Sequence, residues 1–112
     1  MKNSTKIVML GSALLIATLV SASAGDAKEN WGKSCAKCHG DDGKGQTKMG
    51  QKLGIKDFTD AKVQADIKDD AAFKAVKEGV KDSEGKVRMK AIEGLTDDEI
   101  KALVQLVRGF KQ

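Results

Sequence analysis

Apolar positions are distributed along this chain in two ways. Residues 7–20 form one uncharged, mostly apolar run, whereas beyond residue 24 apolar side chains recur singly among Lys, Asp and Glu. The clearest periodic stretch comes last: Ile100, Leu103, Val104, Val107 and Phe110 fall on one helical face. Thr96-Asp97-Asp98-Glu99 precedes it as a capping box, with acids where a helix N-terminus is positive. Phe73 and Val76 mark a second helix, capped by Asp69 or Asp70 and stopped at Gly79. Asp26 to His39 reads as a third, anchored by Trp31, and Phe58 to Ile67 as a weaker fourth diluted by Lys and Asp. Glycines at 40, 43, 45, 50 and 54 make Gly40 to Gly54 a loop. Lys81 to Gly94 is polar, interrupted by Val87, Met89 and Ile92. No segment alternates long enough to predict a strand, so the pattern predicts an all-α fold of three to five short helices around one centre.

The early apolar run and its flanks read as a secretory signal peptide. Lys2 and Lys6 supply the positive start, and Ala22-Ser23-Ala24 the small residues that a signal peptidase accepts. A retained membrane anchor is the alternative, but Ile7 to Val20 is shorter than the roughly 20 residues that span a bilayer. The expected division is a cleaved leader over residues 1–24 and one domain over 25–112, periplasmic and without a membrane span. Of those 88 residues only 17 are Leu, Ile, Val or Phe, a composition at the edge of disorder. The charge balance argues otherwise, with 18 basic and 16 acidic residues beyond residue 24. Either the domain is marginal or something other than side chains fills its core. The near-neutral balance and scarce aromatics also speak against nucleic-acid binding.

Cys35-Ala36-Lys37-Cys38-His39 uses both cysteines and the sole histidine. C-x-x-C-H is an attachment signature for c-type haem. Cysteines three apart on a helical turn face the same way, so both thiols can reach the two vinyl groups on one porphyrin edge. His39 can then bring its imidazole to the iron as proximal ligand. Three other chemistries use parts of the pattern. A redox dithiol normally lies beside a strand–helix unit that this chain lacks. A Cys35–Cys38 disulfide would close too small a loop to stabilise much. Zinc needs four ligands where three candidates exist. One covalently bound haem c uses all three side chains.

Cys35 to Gly40 followed by Asp41-Asp42-Gly43-Lys44-Gly45, together with the helix from Thr96 to Phe110, resembles a small bacterial class I monohaem cytochrome c. The resemblance extends over residues 26–111. It implies a C-terminal helix packed across the N-terminal one near the haem, and an axial Met on the distal side. Met89 stands fifty residues after His39, where the family places that ligand; Met49, ten residues after His39, lies in the loop that the family runs along the proximal side. Family members often carry Pro directly after this Met, but here Lys90 follows, which leaves the loop less rigid. Gly50-Gln51 stands where the family commonly has Gly-Pro, and the resemblance implies that the Gln51 carbonyl accepts the bond orienting the proximal His.

With His39 and Met89 both engaged, no position remains for a substrate, so the expected function is single-electron carriage between a redox donor and acceptor. The carrier is expected to be a monomer and not an enzyme. A rival reading is a haem protein with a labile or open sixth site for ligand binding or sensing, suggested by the missing Pro. A third is an electron-passing subunit of an oxidoreductase complex. Lys33, Lys37, Lys44, Lys48, Lys52 and Lys56 crowd the attachment segment and would steer an acidic partner in a salt-dependent way. An ordinary solvated surface accounts for them equally well.

Overall fold

The computed structural model of the protein describes Gly11 and residues 24–112, so the expected leader lies outside the described residues. Helix α1, Ala24–Ser34, places Ala27 and Trp31 on one face, and Cys35 continues that stripe one turn on. This stripe packs against α6, Asp97–Arg108, whose Ile100, Leu103 and Val104 are buried. Asn30 Nδ2 ties the crossing by donating to Glu99 Oε2 at 3.2 Å. The capping box is present in full: the Thr96 hydroxyl accepts from the Glu99 N–H, and the Glu99 carboxylate from the Thr96 N–H.

Between these helices lie α2, Ala36–His39, α3, Lys48–Leu53, α4, Ala61–Asp66, and α5, Asp69–Glu78. The helix expected over residues 26–39 breaks at Cys35, where the carbonyl accepts from both Cys38 and His39 N–H and tightens the turn. Counted across that break as one helix, the described residues hold five, in an all-α arrangement. Residues 40–54 are not all loop. Thr47 caps α3 by accepting from the Gly50 N–H, and Gly54 ends it in the left-handed region. The weak helix of residues 58–67 is confined to α4, because Asp57 and Asp60 turn the chain before it. Helix α5 ends at Gly79 as expected, but its N-cap is Lys68, and Asp69 and Asp70 lie inside the first turn.

The polar stretch after α5 holds a feature that the pattern did not predict. Strands β1, Val80–Lys81, and β2, Val87–Met89, pair antiparallel as a small hairpin. Two or three residues are too few to show the alternation by which a strand is recognised.

Candidate functional site

Cys35 is buried and Cys38 half-buried, both with free thiols. Burial, with the nearby Cys38 second, pushes the Cys35 thiol up to about 11. Redox-active cysteines need the opposite shift, toward the thiolate, so this environment does not suit dithiol exchange. Zinc fares no better: among the described residues no three His, Cys, Asp or Glu side chains converge on a metal position.

His39, ending α2, is held in an aromatic nest. Its ring lies 5.0 Å from that of Phe58 and nearly parallel to it, and 5.6 Å from Trp31, which itself packs on Phe110 at 5.1 Å. The Trp31 indole N–H donates to the Gly40 carbonyl at 2.9 Å, which fixes the turn after the imidazole. Burial lowers the His39 pKa, so the ring is neutral at neutral pH and keeps a lone pair for a metal. Nδ1 is buried without a hydrogen-bond partner. Buried polar atoms are nearly always paired, so an orphaned imidazole nitrogen is a feature that needs a reason.

The bond expected from His39 to the Gln51 carbonyl is not made. Gln51 lies inside α3, and its carbonyl accepts from the Gly54 N–H at the C-cap. Gly50 has a different role. A Cβ there would collide with the Gly45 and Cys38 carbonyls, so only glycine lets α3 lie against the attachment segment. Thr47 completes that contact, its hydroxyl donating to the Cys38 carbonyl at 2.6 Å.

Trp31, Cys35, His39, Phe58, Val76 and Met89 are among the residues lining one apolar cavity of about 90 Å³. Ala72 and Ala75 of α5 and Leu103, Val104 and Val107 of α6 complete its walls. Met89, at the end of β2, thus shares a cavity with His39, whereas Met49 is 41% exposed on α3. The donor set fits a covalently held haem: two thiols, a neutral imidazole with an orphaned nitrogen, a thioether and an apolar lining. A larger groove of about 380 Å³ between α5 and α6 shares only Val104 with this cavity and holds no His, Cys or Met. Phe58, which lines the cavity, and Gln64, which donates to the Phe58 carbonyl, had no signal in the sequence beyond one aromatic and one amide in a diluted helix.

The family described as cytochrome C oxidase, cbb3-type, subunit III matches residues 22–107. Among solved structures, the KustC0563 c-type cytochrome is similar at 37% identity and a TM-score of 0.65, over 77% of this chain and 98% of that one. A point mutant of the same protein is similar at 38% identity and a TM-score of 0.63, over 77% and 99%. No curated protein matches the chain at a comparable level.

Proposed function

Because the chain belongs to the cytochrome c family, as a small haem protein that carries electrons, we propose that it is an exported, periplasmic carrier whose haem iron is held by His39 and Met89. Cys35 and Cys38 anchor one haem c through thioether bonds in this reading. When bound, that group supplies a one-electron couple and a flat apolar surface. The chain's own residues do the rest. His39 presents a neutral imidazole because burial disfavours its charged form. Phe58 and Trp31 restrict the swing of that ring by packing on it. Met89 would compete with an exogenous ligand for the iron, and the cavity walls supplied by α5 and α6 are apolar. With His39 and Met89 both engaged, no ligand position would remain for a substrate, which is why the reading is a carrier and not an enzyme. No helix among the described residues is long and apolar enough to cross a membrane.

The observation that carries this reading is the shared cavity of His39 and Met89. The test is the visible spectrum of the exported protein, oxidised and then reduced, beside that of Met89→Ala. The parent should show the far-red Met–iron band and resist carbon monoxide when reduced. Met89→Ala should lose the band and bind carbon monoxide readily. A Met89→Ala spectrum identical to the parent's rejects the ligand assignment. The family's description names an oxidase subunit, so the chain's elution, alone or with a partner enzyme, separates a free carrier from a fixed subunit.

A further inference from the structure

Met89 is followed by Lys90 and not by a residue of fixed φ, yet the backbone around it is tied down on every side. Val80 pairs with Met89 across the hairpin. Asp82 closes the far end: its N–H donates to the Lys86 carbonyl, and its carboxylate accepts from the Glu84 and Lys86 N–H groups, all at 2.9 Å. On the other side of Met89, the Ile92 N–H donates to the Val76 carbonyl of α5 at 2.8 Å. Arg88 reaches across the fold, its Nη2 donating to the carbonyl of Leu53, the last residue of α3, at 3.0 Å.

Gly79 makes the closest approach. Its φ of +79° belongs to the region that favours glycine, and a Cβ would stand 2.7 Å from the Met89 carbonyl oxygen and 2.8 Å from the Ala91 nitrogen. These are backbone atoms, so relief would come from moving the Met89–Ala91 segment itself. The end of α5 therefore serves as a flat stop on which this segment rests.

We infer that Gly79 and Arg88 are positioning residues that hold Met89 toward the His39 cavity, supplying the rigidity that a proline after the methionine would otherwise give. The inference rests on Met89 being the distal ligand. Its test uses the oxidised holoprotein titrated with imidazole, which competes with a methionine for iron, while the far-red band and the reduction potential are followed. Arg88→Gln should raise the apparent imidazole affinity about three- to tenfold, the equivalent of one ordinary solvent-exposed hydrogen bond. Arg88→Lys, which keeps a charged donor at nearly the arginine's reach where the glutamine amide is too short, should recover part of that change. Gly79→Ala should raise the affinity further, weaken the band and lower the potential.

Parental imidazole affinity and an intact band in both Gly79→Ala and Arg88→Gln would overturn the inference. If Gly79→Ala does not fold, Arg88→Gln decides alone, since its exposed side chain can be replaced without opening the core. A Met89→Ala spectrum unchanged from the parent overturns the ligand reading itself. A changed Met89→Ala spectrum beside unaltered titrations of both positioning variants rejects only the positioning role.

Discussion

Gln64 is the buried polar side chain among the described residues, 5% exposed, and every one of its polar atoms is engaged. Its Nε2 donates to the carbonyls of Phe58 and Val107, each at 2.7 Å, and its Oε1 accepts from Arg108 Nη1 at 3.0 Å. Arg108 also donates to the Gln64 and Ile67 carbonyls and to Asp69, so one guanidinium fastens the end of α6 to the chain around α4. The consequence reaches the site, because Phe58 is the ring stacked on His39. Gln64→Leu strips the Phe58 carbonyl of its side-chain donor and leaves the Val107 carbonyl only the Phe110 N–H, and is expected to lose about 1–3 kcal/mol in urea unfolding of the holoprotein. Gln64→Glu should cost no less, since it sets an acceptor against two acceptors. Cys35, Cys38 and His39 were legible as one candidate site because they stand together in one short motif. Gln64 was not, because a lone amide in a charged, weakly periodic stretch looks the same whether it faces solvent or a core.

At the scale of elements, the start of α6 and the end of α5 followed local chemistry. Thr96 and Glu99 predicted the start of α6 because a capping box is entirely local, and Gly79 predicted the end of α5 for the same reason. Helix α3 escaped because its stability is tertiary: Gly50 and Thr47 matter through the Cys38 carbonyl, remote in sequence. The Glu99 carboxyl is held below its ordinary range, first by the Thr96 backbone N–H, then by the Thr96 side chain and Asn30. A carboxyl lowered on folding contributes stability above its unfolded pKa and loses it as the pH falls through the folded one. Glu99→Gln should therefore be less stable than the parent near pH 7. The gap between their urea midpoints should narrow as the pH drops from about 6 to about 3. A gap independent of pH would mean that the charge contributes nothing to the cap.

For the whole molecule, the decisive quantity is how little side-chain core there is. The buried apolar set is Ala27, Trp31, Cys35, Ile100, Leu103 and Val104, gathered where α1 crosses α6. Phe58, Leu95, Leu106, Val107 and Phe110 are only partly covered around it. Each 100 Å² of apolar surface that a bound haem covers contributes about 2.5 kcal/mol, a sizeable fraction of a small domain's net stability. The variant Cys35→Ala/Cys38→Ala, prepared free of haem, is therefore expected to be largely unfolded, with a weak helical dichroism signal and no cooperative thermal transition. A sharp, native-like transition would show that the side chains suffice.

The burial of Cys35 also dictates an order of events. Its thiol is sealed between Trp31 and Leu103, residues near opposite ends of the domain, so it is covered only when those ends have met. In the closed fold Cys35 is approached only along the narrow apolar cavity that it shares with His39 and Met89. In the proposed reading, haem reaches Cys35 more readily before α6 docks, on a chain still open. Maturation in that reading has a direction, because the docking of α6 narrows the route to Cys35.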